Sequence, residues 1–207
     1  LFGFGGNPLS PSATLYFLSP PDYENPADAN TDGVYEVIVN VDGTYYNYAV
    51  TVTNANEAPT FGALDGNPAY TENGSPIVLD TNVTIFDVEL SGVDNFDGAS
   101  LPLVRTGGAR TDAVFSATGT LSAMTEGGNL VVGGTTIGTV TTNSSGTLVL
   151  TFNANATNTL VNQAMQQIAY SNSSSTPPAN VLIDWTFDDG NTGDQGAGGA
   201  KQGTGSV

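Results

Sequence analysis

The chain has 207 residues, with 20 Asp and Glu against 3 Lys and Arg, and neither His nor Cys. A formal net charge of −17 leaves no surface able to hold nucleic acid phosphates or anionic lipid, so nucleic acid is excluded as a partner. Without Cys no disulfide staples the fold; without His or Cys the common general bases, thiol nucleophiles and zinc sites are missing, and catalysis is not expected.

Leu1-Phe2-Gly3-Phe4-Gly5-Gly6 is apolar but too short for a signal h-region and has no basic flank. No run approaches the ~18 apolar residues of a membrane helix, so membrane insertion is not expected. The first residue is not Met, as in a trimmed chain or a piece of a longer one. Leu15-Tyr16-Phe17-Leu18 reads as a strand stopped by Pro20-Pro21.

The next segment, Asp22 to Gly33, is the most informative. It packs four carboxylates and two Asn amides into twelve residues, with no Lys or Arg. Converging anionic oxygens repel unless a hard cation with six to eight oxygen ligands neutralises them, and calcium is the common solution. Asp28-x-Asn30-x-Asp32-Gly33 matches the first six positions of an EF-hand loop. Position twelve would be Val39 instead of Glu, and the flanks are not helical, so the loop is expected on a β scaffold, holding a local turn or an ion of its own.

Val34 to Val41 alternates faces and is β-branched, Asp42-Gly43 is a hairpin turn signal, and Tyr45 to Thr53 returns antiparallel. Asn54-Ala55-Asn56-Glu57-Ala58-Pro59 is a short polar joint closed by Pro, dividing the chain into 1–59 and 60–207. Beyond it, short strands are expected at 77–79, 83–86, 101–104, 114–117, 130–132, 137–140, 147–152 and 181–187, separated by Gly, Asn and Ser turns. One segment, 157–169, carries Leu160, Val161, Ala164, Met165 and Ile168 at helical spacing, with Asn155 or Thr157 to cap it and Met165 as core filler. The expected fold class is all-β: two Greek-key β-sandwich units with one short helix.

Two more acidic clusters stand out. Asp184, Asp188, Asp189, Asn191 and Asp194 read either as a second calcium site or as a tight Asp-Gly turn. Trp185 alternates with Ile183 and Phe187, which argues for the core over an aromatic platform for a peptide or glycan ligand. Asp87, Glu89, Asp94 and Asp97 read as a solvated loop. Paired carboxylates can hydrolyse glycosides, but here each pair sits in an Asn- and Gly-rich loop better suited to metal.

Asp22-Tyr23-Glu24 resembles the acidic D-x-E motif of cadherin repeats, and Asn54 to Pro59 is similar to the calcium-binding linker D-x-N-D-N-x-P that joins them. The version here looks like that of very large, repetitive bacterial surface adhesins of the RTX type. Asn54 and Glu57 depart from the linker's two Asp residues but keep an oxygen ligand. Residues 60–207 resemble a second, immunoglobulin-like repeat of the same proteins, through Tyr70 to Gly74, Phe96 to Ala99, Gly133 to Val140, Ile168 to Asn172 and Asp184 to Gly193. The resemblance implies a partial cadherin-like domain, an Ig-like domain and one interdomain Ca2+ site built from Asp22, Glu24, Asn54, Asn56, Glu57 and Glu72. It further implies incomplete ends relative to the family, with missing strands supplied by a longer parent chain or by neighbouring subunits. The expected role is a calcium-stiffened structural module at the extracellular cell surface, partnered by neighbouring repeats. The alternatives are a filament of identical subunits and a module binding a peptide or glycan.

Overall fold

The computed structural model describes residues 2–5 and 14–207; the ends of the apolar start, Leu1 and Gly6, lie outside them. The chain divides into two compact units, Leu1–Ala55 and Asn56–Val207. The structure is mostly β, and among the described residues no helix is long and apolar enough to cross a membrane.

The first unit holds two antiparallel hairpins, β1 (Phe2–Gly5) with β2 (Thr14–Phe17) and β3 (Val34–Val41) with β4 (Thr44–Thr51). Asp42 and Gly43 both take positive φ, 50° and 83°, the backbone twist a two-residue hairpin requires. Tyr35 is buried under Phe2 and Phe17, whose rings stand edge-on to it at 6.2 and 5.1 Å. Register places Tyr35, Val37, Val39, Val50, Tyr48 and Tyr46 on one face of the β3–β4 ribbon. Only its Tyr35 end is covered: Tyr46 is 48% and Tyr48 52% exposed.

The second unit is a sandwich. Its strands are β5 (Thr60–Gly62), β6 (Ile77–Val78), β7 (Thr84–Phe86), β8 (Ser100–Arg105), β9 (Ala113–Ala117), β10 (Asn129–Val132), β11 (Thr135–Ser144), β12 (Thr147–Phe152), β13 (Ile168–Asn172), β14 (Ile183–Asp188) and β15 (Gln202–Ser206). Six form one sheet in the order β10-β11-β12-β8-β14-β15; β6-β13-β9 form a second, and β5 pairs with β7. Alternation along β8, β12 and β14 sends Leu101, Leu103, Leu148, Leu150, Ile183, Trp185 and Phe187 into a core closed from the other sheet by Phe115, Ile168 and Tyr170. Trp185 is fully buried, with Phe61 edge-on at 6.3 Å, so it belongs to the core.

Two helices are described where one was expected. α1 (Val88–Gly92) follows β7, with Asp87 as its N-cap; α2 (Asn158–Met165) starts at Thr157, whose side chain accepts from Leu160 N. Ile168 and Ala169, expected as the last helical residues, open β13 instead, because Ile168 O takes the Leu79 amide and Ala169 pairs with Val78. The buried Asp80 carboxylate replaces regular pairing at the start of the unit: it accepts the amides of Asp65, Gly66, Asn82 and Val83.

Two glycines give a matched test of backbone strain. Gly98 has φ +83° with open space where a Cβ would sit; Gly190 has φ +68°, and its Cβ would run into the Gly98 carbonyl. Gly98→Ala is expected to cost about 1–2 kcal/mol from left-handed strain alone, and Gly190→Ala clearly more, about 3 kcal/mol. Denaturant unfolding of the two variants ranks them.

Candidate metal centre

The Asp28–Gly33 loop is built as a turn. Asp28 accepts the amides of Asp32 at 3.0 Å and Gly33 at 3.3 Å, Asp32 Oδ1 accepts Val34 N at 2.8 Å, and Asn30 Nδ2 donates to Asp32 Oδ2 at 2.8 Å. Slight burial pushes the Asp28 carboxyl up, but the backbone amides around it outweigh that and lower its pKa. Asp22 Oδ1 accepts Asn25 N at 2.9 Å, Glu24 is exposed, and Asn54 is half-buried near the end of this unit.

In the second unit the chain enters through Asn56, which is 6% exposed. Its amide N donates to Ala197 O, and its Nδ2 donates to Asp189 Oδ2 at 2.7 Å and Gly199 O at 2.9 Å. Asp189 is wholly buried, directly after β14. Its Oδ1 accepts Asn191 N and Lys201 N, and its Oδ2 also takes the Lys201 amide. Asp188 accepts Gly190 N and Gln202 Nε2, which makes the Asp188–Gly190 segment a bonded turn, while Asp184 is exposed on the outer face of β14.

Around this clamp lie carboxylates that the sequence reading left to solvent. Asp87 is 1% exposed: Oδ1 caps α1 by accepting Leu90 N at 2.9 Å, and Oδ2 has no partner. Burial raises its pKa, and the negative charges of Asp189 and Glu57 push the same way. Glu89, one turn into α1, brings an oxygen within 4.8 Å of one from Glu57. Both Glu89 oxygens are shut from water, and the Glu57 carboxyl faces them. Burial, then a hydrogen bond shared with that carboxyl, raises Glu89 to about 7. Asn56 Oδ1 is likewise shut from water and unpaired. Among the described residues the one ion pair is Arg110–Asp112, so no cationic side chain pairs with Glu57, Asp87, Glu89 or Asp189.

Asn56, Glu57 and Asp189 are thus brought together, and Asp87 and Glu89 join them. Asp87-Val88-Glu89 repeats the D-x-E spacing of Asp22-Tyr23-Glu24, the signal that could have found it. Asp94 and Asp97 are exposed, Asp94 accepting Asn158 N at 2.7 Å beside α2. Glu72 goes elsewhere: it follows Tyr70, which lines a cavity of about 400 Å³ with Ile183 and Val207, at the opposite end of β14 from Asp188. That cavity has no charged side chain in its lining, and within it Tyr70 donates to Asn172 O and Asn172 Nδ2 to the Tyr170 hydroxyl.

The oxygen set fits a hard divalent cation. Asn56 Oδ1, Asp87 Oδ2 and the Glu57 and Glu89 carboxylates are oxygen donors, several buried and unpaired, in a neighbourhood with no compensating charge. No protein-family model, curated protein or solved structure matches the chain.

Glu89 and Asp87 hold protons more tightly when folded than unfolded, so folding without a cation takes up protons. The stability they contribute is present at low pH and is lost as pH rises from about 4.5 to about 7 for Glu89. In chelator, the melting temperature is expected to be higher at pH 5 than at pH 8, and Glu89→Gln should flatten the profile. A chelated protein whose stability climbs over that interval contradicts the assignment.

Proposed function

We propose that the chain is a non-catalytic structural module of an extracellular bacterial surface protein, with Ca2+ as its structural ion. The observation that carries this reading is the set of buried oxygens in one neighbourhood, Asn56 Oδ1 and Asp87 Oδ2 without a partner and the Glu89 carboxyl facing only that of Glu57, with no cation side chain to neutralise them. Such a group destabilises the folded state when empty and stabilises it when a hard cation is bound. Asn56 and Glu57 are the first residues of the second unit, so a bound ion would fix the chain where that unit begins. The resemblance to cadherin-like and immunoglobulin-like adhesin repeats supports the same role, extension of a surface protein by neighbouring repeats.

Calcium at a hundredfold excess over its dissociation constant is expected to stabilise the protein by about 2.7 kcal/mol. A calorimetric melt in calcium and in chelator reads this directly. Limited proteolysis is the second measure: cleavage within residues 54–60 should quicken in chelator, and equal rates under both conditions would sink the proposal.

A second reading, a filament of identical subunits, is favoured by one observation. The β3–β4 face leaves Tyr46 and Tyr48 about half exposed, with Val41 at 52% beside them. Exposed apolar faces of this kind are commonly interaction surfaces. Under this reading concentrated protein with calcium forms periodic fibres by electron microscopy, and Tyr48→Lys abolishes them; uniformly monomeric particles refute it.

A further inference from the structure

The Asn56 amide is engaged at one end only. Nδ2 is spent on Asp189 and on Gly199 O, both in the segment 189–201, while the buried Oδ1 accepts nothing, and Glu57 follows directly in the chain. Only a side-chain amide can do both: Asp would set an oxygen against the Asp189 carboxylate, and an aliphatic residue would leave Asp189 short of a donor.

The segment that Nδ2 holds is tied by polar bonds and not by apolar side chains. Gly190, Gly193, Gly196, Gly198 and Gly199 all take positive φ, and the stretch from Gly190 to Ala200 carries no large apolar side chain. Its order comes from polar bonds: Asn191 N and Lys201 N to Asp189 Oδ1, Gly193 N and Gln195 N to Asn191 Oδ1, and Asn191 Nδ2 to Gly196 O. Glycine-rich backbone loses much conformational entropy on ordering, so these bonds work against a large entropic cost.

We infer that Asn56 is a latch through which a divalent cation held at Oδ1 orders the 189–201 loop held at Nδ2. The inference rests on the cation reading above. A cation at the carbonyl oxygen polarises the amide and strengthens the bonds its N–H groups donate. Fixing the side chain from one end also removes the rotamer freedom that opposes the bonds at the other. Coupling of this kind is reciprocal: whatever the ion does for the loop, an ordered loop does for ion affinity.

Hydrogen exchange by mass spectrometry on the full chain, with calcium and with chelator, tests it beside calorimetric titration of calcium. Amides of residues 190–201 are expected to exchange about tenfold more slowly with calcium, while those of β11 and β12 do not change. Asn191→Ala, which loosens the loop without touching an oxygen of the proposed site, should weaken calcium binding about fivefold. Calcium that binds by calorimetry but leaves exchange at 190–201 unchanged overturns the latch and spares the cation reading. An absence of calorimetric binding overturns both. If Asn191→Ala does not fold, the wild-type exchange measurement decides alone.

Discussion

The second unit depends on one buried carboxylate, Asp189. It has no exposed surface and no cationic partner, so its charge is held by donated hydrogen bonds: two backbone amides and the Asn56 side chain. The donors come from the entering chain at Asn56, from the turn after β14 and from Lys201 at the start of β15, so one oxygen pair ties three distant pieces of sequence together. The core supplies most of the apolar stabilisation, but this clamp decides where the entering chain lies against it.

The clamp also explains why the acids around it are uncomfortable. Asp189 charge adds to that of Glu57 at Asp87, whose own burial already disfavours ionisation. The Glu89 carboxyl is shut from water against that of Glu57, and burial, then the hydrogen bond between them, disfavours its ionisation. Anionic oxygens held out of water are costly unless they are paired. A proton is a poor solution near neutral pH, where Glu89 is half ionised; a divalent ion removes the repulsion of several carboxylates together.

Much of the fold was legible because its strands alternate over short runs. Leu101 to Val104, Thr147 to Phe152 and Ile183 to Phe187 present their inward residues as the pattern requires, and Asp42-Gly43 makes its turn by the φ values those residues favour. β15 was hidden because Gln202-Gly203-Thr204-Gly205-Ser206 has no apolar face; its glycines are there so that Pro59 and Leu64 can approach the backbone. The site was half legible. Asn56 and Glu57 announced themselves in a Pro-bounded joint, whereas Asp87 and Glu89 were read as solvated, since nothing in their local sequence shows that the fold sets them beside Glu57 and Asp189. Glu72 was set at the joint by the cadherin resemblance alone, and the path from β5 past Tyr70 carries it toward the far end of β14.

The first unit follows the same alternation to a different end. Its β3–β4 ribbon pairs Tyr35 with Val50, Val37 with Tyr48 and Val39 with Tyr46, an apolar face as regular as any in the second unit. What differs is the second layer. The β1–β2 hairpin offers the Phe2–Phe17 pair, rings 4.5 Å apart, and these cover Tyr35 and no further, leaving Phe4 61% exposed on the covering layer itself. Two strands over two strands cannot bury a face eight residues long, and isolated hairpins are marginal in water. Tyr, with a hydroxyl at its tip, is the aromatic that tolerates a half-covered position. Asp22, Asp28 and Asp32, by contrast, spend oxygens on local turns, so among the described residues cohesion rests on one aromatic cluster and ladder hydrogen bonds, and any partner that covers Tyr46 and Tyr48 stabilises the unit as it binds.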